Sequence, residues 1–195
     1  MTFTNLSEFI QALEKNGELI RIQASVDPVL EIAEICDRVS KQKGGGKALL
    51  FENTGTQFPV LINAYGSYNR ICTALGINQL DEVGQQLITI IKPFSASNIS
   101  IWEKLKLIPR LKSISSWMPK VLNRKLKHHC QEVVIQPADL SLLPILKCWP
   151  FDGGRFITLP MVITKDPHTG TRNVGMYRMQ VYANDLTECT GIGIK

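Results

Sequence analysis

An α+β fold is predicted: an α/β domain over about residues 1–100, then a β-rich region that begins near residue 128. Three observations predict it. Helix-period and strand-period segments alternate through the first half of the chain. A basic connector punctuated by prolines then interrupts that pattern. Beyond it, runs rich in Val, Ile, Thr and Tyr are separated by turn residues. The chain has 195 residues, 44% of them hydrophobic, enough for one ordinary core or two small domains.

Leu6, Phe9, Ile10 and Leu13 recur at i, i+3, i+4 and i+7 and predict the first helix. Asn5 is placed to cap it, Glu8 to reach back from three residues on, and Gly17 to end it. "ELIRIQ" follows as a short strand. Asp27 is expected to cap a second helix with Pro28 at its first position, and Leu30, Ala33, Ile35, Cys36 and Val39 form its apolar face. "KGGGKALLFEN" reads as a loop and then a strand. Glycines beside lysines suggest a phosphate cradle, but a P-loop sets its strand before the glycines and its helix after them. The order here is reversed, so a flexible helix-to-strand connection is expected. "FPVLINAYG" predicts a strand and "YNRICTALG" a helix. Residues 80–92 predict another helix, with Leu80, Val83, Leu87, Ile90 and Ile91 on its apolar side.

Pro93, Pro109 and Pro119 punctuate a segment with no strand pattern, and residues 101–127 read as a basic linker or helical connector. Between Glu103 and His129 eight Lys or Arg face one acid, in a chain whose net charge is +5. Such a stretch can face nucleic acid or a membrane surface. Trp102 and Trp117 show no alternating stacking pattern, and no nucleic-acid motif is present. The plainer reading is a solvated linker or helix face, with no specific nucleic-acid partner and membrane-surface contact left open. No apolar run approaches the ~20 residues of a membrane span. The N-terminal stretch carries acids where a signal peptide would be basic, so a cytoplasmic protein is expected. The five cysteines, Cys36, Cys72, Cys130, Cys148 and Cys189, form no CxxC pair, which argues against a zinc site or a disulfide framework.

After the connector, "CQEVVIQ", "RFITLPMVITKD" and "RNVGMYRMQVY" read as β-rich, with "DPHTGTR" as a hairpin turn. In the last of these, Asn173, Gly175, Tyr177 and Met179 share one face and Val174, Met176, Arg178 and Gln180 the other. An arginine among apolar residues in a strand that reads as buried needs a partner: a carboxylate, a phosphate or a substrate anion. A strand whose Arg178 snorkels to a barrel rim is the plainer alternative. Gly175 would let another group approach the backbone closely.

Six blocks carry a family resemblance: "LSEFIQALEKNGELIRI", "DPVLEIAEICDRV", "KALLFENTGTQFPVLINAYGS", "CQEVVI", "DLSLLPILKCWPFDGGRFIT" and "RNVGMYRMQV". In this order, over roughly residues 1–187, they resemble the UbiD-type decarboxylases, which include 4-hydroxy-3-polyprenylbenzoate decarboxylase and related aromatic-acid and menaquinone-pathway enzymes. The resemblance implies a small N-terminal α/β domain, a central split β-barrel of flavin-binding type holding prenylated FMN, and a C-terminal part used in dimerisation. Residues 128–187 would then be the first strands of an incomplete split barrel. It also implies roles within "NVGMYR": Asn173 as a ligand to Mn²⁺, and Met176, Tyr177 and Arg178 against the prenylated flavin. Arg178 is the catalytic candidate, since the family's arginine pairs with the substrate carboxylate and a glutamate. A guanidinium suits bidentate carboxylate recognition, and the flavin would supply the carbon–carbon bond chemistry.

The family continues past this strand with a pattern like "TGMHW", where this chain has "TECTGIGIK". That stretch can be written ACT GAA TGC ACT GGC ATC GGC ATA AA(A), and one G added after ACTG gives Thr-Gly-Met-His-Trp-His-Arg-His-Lys. A single-base deletion near the codon for Thr187 or Glu188 is therefore expected, with residues 188–195 out of frame. The family's remaining metal ligands, its catalytic glutamates and most cofactor contacts would lie downstream. On that reading the chain alone retains neither cofactor nor activity on an aromatic carboxylic acid, and would be homo-oligomeric only with the barrel complete. The unfinished β-region would be mobile, aggregate or pair with a second copy. The competing expectations are a free-standing binding module using residues 103–129, or one half of a split decarboxylase. A split-barrel flavin reductase fits the β region and leaves residues 1–92 unexplained.

Overall fold

The computed structural model describes residues 3–92 and 129–189, so the basic connector and the chain from residue 190 lie outside the described residues. Helices α1 (Leu6–Lys15), α2 (Glu31–Ser40), α3 (Tyr68–Leu75) and α4 (Asp81–Ile91) accompany strands β1 (Leu19–Ser25), β2 (Ala48–Asn53), β3 (Val60–Ile62), β4 (Arg155–Ile157), β5 (Met161–Lys165), β6 (Arg172–Met176), β7 (Met179–Ala183) and β8 (Leu186–Cys189). The described residues fall into two compact units, one of residues 3–71 and 135–189, the other of residues 72–92 and 129–134.

In the larger unit, β2 lies at the centre of a three-stranded sheet, parallel to β1 and antiparallel to β3. Ala48 to Phe51 are all buried, as expected of a strand covered on both faces. Leu49 and Phe51 form a core cluster with Val26 and Ile32, against which Ile35, Val39 and Leu146 pack. Phe9 and Leu13 of α1 are buried, and the Phe9 ring stacks on Tyr65 at 5.9 Å. The ends of α1 follow the sequence. Asn5 Oδ1 accepts from the Glu8 N–H at 2.9 Å, and Glu8 reaches back to the Thr4 N–H at 2.9 Å. Gly17, at φ 69°, closes the helix while the Glu18 N–H bonds to the Leu13 carbonyl at 2.8 Å.

The start of α2 differs from expectation. Asp27 Oδ1 accepts from the Val29 N–H at 2.7 Å, and the helix begins only at Glu31, after Leu30 at φ 73°. The cause is a distant partner. The Leu30 N–H bonds to the Lys147 carbonyl at 2.9 Å and the Lys147 N–H to the Pro28 carbonyl at 3.2 Å. The Pro28 carbonyl and the Leu30 N–H are thus committed to a parallel bridge with residue 147, and the helical turn starts after them. The most buried residue of α2 is Ile32, which the expected apolar face omitted.

The triple glycine connects α2 to β2, as expected, and side chains bond to it from within. Gly44, Gly45 and Gly46 all have positive φ, and the carbonyls of Gly45 and Gly46 accept internal side-chain hydrogen bonds. Arg70 Nη1 donates to the Gly46 carbonyl at 2.7 Å and to Glu18 Oε2 at 2.7 Å, with Nη2 at 3.4 Å from the Gly45 carbonyl. Asn63 Nδ2 donates to the Gly45 and Lys47 carbonyls at 2.8 and 2.9 Å. A P-loop turns backbone N–H groups toward an anion; this loop turns carbonyl oxygens toward an internal cation. Arg70 itself is 0% exposed.

Beyond residue 129 two expectations change. "CQEVVIQ" forms no strand: a 3-10 turn at His129–Gln131 leads into an irregular segment in which Val133 and Val134 are exposed. "RFITLPMVITKD" is two strands, β4 and β5, divided at Pro160, whose ring removes a ladder N–H. β7 pairs with β4 and β8, whereas β5 and β6 form a separate two-stranded sheet. In the smaller unit, α4 forms as expected, but none of its residues is buried. Among the described residues no helix is long and apolar enough to cross a membrane.

Candidate functional site

The expected site residues lie where the chain passes from β6 to β7, and the register explains their arrangement. The β5–β6 ladder ends at Met161↔Met176, and the β4–β7 ladder begins at Ile157↔Met179. Residues 158–160 therefore lie opposite residues 177–178. The odd residue puts the two ladders out of phase, because side chains alternate with period 2. Pairing breaks there, and Tyr177 and Arg178 leave the alternation expected of a continuous strand.

Arg178 finds its partner in the turn that precedes β4. Nη2 donates to Asp152 Oδ2 at 2.9 Å and Nη1 lies 3.4 Å from Oδ1. The Arg178 guanidinium carbon sits 3.8 Å from the centre of the Phe156 ring, a cation–π stack. The Asp152 side chain is 13% exposed and that of Arg178 39%. Of the partners left open by the sequence, a carboxylate is present. The Arg178 bond holds the Asp152 carboxyl below the usual aspartate range, against the opposing effect of desolvation.

Asp152 is placed by the turn that precedes β4. Its N–H bonds to the Trp149 carbonyl at 3.1 Å, and the next residue, Gly153, accepts from Gln180 Nε2 at 3.1 Å. A side chain at Gly153 would meet Gln180 Nε2 at 2.8 Å. Further back, the Phe156 N–H bonds to the Leu146 carbonyl at 2.9 Å, and Leu146 packs on the core of the N-terminal sheet. The arginine is thus anchored, through one turn and one strand, to the first half of the chain. Beside the pair, burial pushes the Cys148 thiol up while Arg178 pulls it down. Burial likewise pushes up Cys36, so both rest as thiols rather than as nucleophilic thiolates.

Asn173, on β6, is exposed, and its Nδ2 donates to Tyr177 Oη at 3.1 Å. That bond leaves Oδ1 as the amide's acceptor. A Cβ at Gly175 would lie 2.6 Å from the Tyr177 ring, so the glycine admits this side chain as a close neighbour. Met176 is 70% exposed and shares an open apolar face with Met161, Ile163 and Val174. The structure therefore joins Asn173 to Tyr177 and Arg178 to Asp152. Asp152 was missed by sequence reasoning: "WPFDGG" reads as a turn, and an aspartate before two glycines looks like part of it.

Among the described residues no group of three or more His, Cys, Asp or Glu could hold a metal ion. Asn173 offers one neutral oxygen, well short of the ligand set of Mn²⁺. The described residues do not by themselves fit that ion.

Comparison with known proteins places these features in a family. Residues 10–87 match the 3-octaprenyl-4-hydroxybenzoate carboxy-lyase N-terminal domain, and residues 122–192 match the Rift-related domain of the same enzyme family. An uncharacterized protein of Aquifex aeolicus is 50% identical over 184 residues, which are 94% of this chain and 37% of that protein. One from Archaeoglobus fulgidus is 46% identical over 188 residues, 96% of this chain and again 37% of the relative. The closed form of vanillic acid decarboxylase from Sedimentibacter hydroxybenzoicus superposes with a TM-score of 0.69 at 26% identity, over 97% of this chain and 37% of that one. An evolved dimeric form of the UbiD-class enzyme HmfF from Pelotomaculum thermopropionicum, solved with prFMN, gives a TM-score of 0.66 at 25% identity, over 97% of this chain and 39% of that one. The chain thus spans little more than a third of the length of these relatives. With both family domains matched in order, it belongs to the UbiD family of carboxy-lyases.

Proposed function

We propose that this chain supplies the N-terminal part of a prenylated-FMN-dependent, non-oxidative decarboxylase of an aromatic acid, of the kind used in ubiquinone- or menaquinone-type pathways. The observation that carries this reading is the oriented guanidinium of Arg178, in a chain matched to both family domains. In this reading Arg178 recognises the substrate carboxylate, and Met176 and Tyr177 lie against the flavin. Asn173 Oδ1 contributes one ligand to Mn²⁺. Bound prenylated flavin would supply the carbon–carbon bond chemistry. The protein's part is to bind and orient the acid through a positioned cation. The strand that leaves one sheet for another between Met176 and Met179 supports the further reading that β4–β8 are the first strands of a split barrel.

Asn173 cannot hold the metal alone, so we propose that residues 1–195 do not turn over by themselves and that the remaining ligands come from sequence aligned with the rest of the relatives. Homo-oligomers are expected only of the completed assembly; one solved neighbour is a dimeric form. The test is complementation. This chain is co-expressed with the C-terminal part of the Aquifex aeolicus relative, loaded with prenylated FMN and Mn²⁺, and assayed for CO₂ release from a panel of aromatic acids. Release by the pair, none by either half, and loss in Arg178→Ala are expected. Release by this chain alone would overturn the proposed division, and activity retained in Arg178→Ala would overturn the role of the arginine.

A further inference from the structure

The geometry points to Asp152 as a positioning residue: it fixes the plane of the Arg178 guanidinium, with the Phe156 ring as the floor, so that the cation meets a carboxylate ligand in one orientation. The inference rests on the reading of Arg178 as the carboxylate-binding residue. It goes beyond that reading by assigning the orientation to a side chain in a different element.

A long arginine side chain 39% open to solvent would ordinarily sample many rotamers. Among the described contacts, Asp152 and Phe156 both restrain the one planar group. The Asp152 carboxylate takes Nη2 at 2.9 Å and faces Nη1 at 3.4 Å, which sets rotation in the plane. The Phe156 ring, 3.8 Å from the guanidinium carbon, sets the tilt. Neither restraint comes from β6 or β7, between which Arg178 lies and where pairing is broken. Asp152 is in turn held by its own N–H on the Trp149 carbonyl and by the Gln180 bond to Gly153. A carboxylate 13% exposed, tied at its own backbone and at the next residue, is a fixed reference for the longer arginine side chain.

The test is nuclear magnetic resonance of the full chain with ¹⁵N-labelled arginine. A guanidinium locked against a carboxylate rotates slowly about its C–N bonds and gives resolved Nη signals; a free one gives an averaged signal. The wild type is expected to show resolved Arg178 signals. Asp152→Asn should average them, and Asp152→Glu should restore part of the splitting. Arg70, held by Glu18 and Gly46, serves as the internal control, and its signals should not change in either variant. Resolved Arg178 signals in Asp152→Asn, with Arg70 unchanged, would overturn the proposal. So would averaged signals in the wild type.

A second readout separates this proposal from the functional reading beneath it. Benzoate is titrated into the wild type, Asp152→Asn and Arg178→Ala, and the shift of the Arg178 signals or of nearby amides is followed. Asp152→Asn is expected to weaken benzoate binding at least fivefold. If Arg178→Ala binds benzoate as the wild type does, or if the wild type shows no binding, the carboxylate role of Arg178 fails, and the signal splitting still decides whether Asp152 fixes it. If Asp152→Asn loses the splitting yet binds benzoate unchanged, the orientation has no consequence for binding and the positioning role is overturned.

Discussion

Glu18 and Arg70 are predicted to be strongly coupled although they lie near the surface of a small sheet. Arg70 has a side chain only 1% exposed, while Glu18 is 31% exposed. The asymmetry decides the outcome. Replacing Glu18 by Gln leaves a buried cation with only carbonyl oxygens around it, and its Nε already has no hydrogen-bond partner. Breaking an enclosed pair from one side costs about 3–5 kcal/mol. Partial exposure of Glu18, and the amide oxygen that replaces its carboxylate, place Glu18→Gln near about 2 kcal/mol. In an Arg70→Met background the same change removes a carboxylate that can take water, and should cost less than about 0.5 kcal/mol. The coupling is then about 2 kcal/mol, or about 1 M in urea midpoint at a slope near 2 kcal/mol/M. Urea titrations of the four proteins of this cycle, followed by far-ultraviolet circular dichroism, measure it. A coupling below about 0.5 kcal/mol, the value of an exposed ion pair, would refute the argument that burial of Arg70 governs the pair.

Other outcomes follow from the same geometry. Gly44→Ala should cost about 1 kcal/mol, because only its φ of 77° is at issue, with nothing within 4 Å of the added carbon. Gly45→Ala should cost about 3 kcal/mol or more, since the added carbon would fall 1.8 Å from the Gly66 carbonyl oxygen; thermal melts of the two variants compare them. Ile32→Ala, at a site 0% exposed, should lose about 2–5 kcal/mol by urea denaturation. Ile163→Thr, 64% exposed, should stay within about 0.5 kcal/mol of the wild type in the same assay. Because Arg178 lowers the Asp152 pKa, with Lys147 adding a smaller pull, Asp152 favours the folded state fully above the ordinary aspartate range. That contribution is lost as pH falls through the depressed folded value, so the stability gap between wild type and Asp152→Asn should close on acidification. A gap that widened would refute the sign.

The N-terminal elements were legible because each is specified locally. The i, i+3, i+4 pattern of α1 and its Asn5 cap need no distant partner. The start of α2 was not legible, since residues 27–30 are held by Lys147, more than a hundred positions away. The same limit hid the meaning of the three glycines. The carbonyls of the last two are organised by Arg70, and sequence order excludes a P-loop without naming the cation that takes its place. At the site, the need of Arg178 for a partner was readable from its apolar surroundings. Asp152 was not, because the pair spans 26 residues and depends on where a ladder breaks.

That break has a mechanical consequence. The chain links the β5–β6 hairpin to the β4–β7–β8 sheet through residues 158–160 and 177–178, two short connections side by side. Two such connections would act as a hinge, with Asn173 on the arm and Arg178 at the pivot. A ligand that reached both would join arm to pivot and stop the hinge. Its affinity would then include the cost of that lost motion, and its arrival would be visible as slowed amide exchange along β5 and β6.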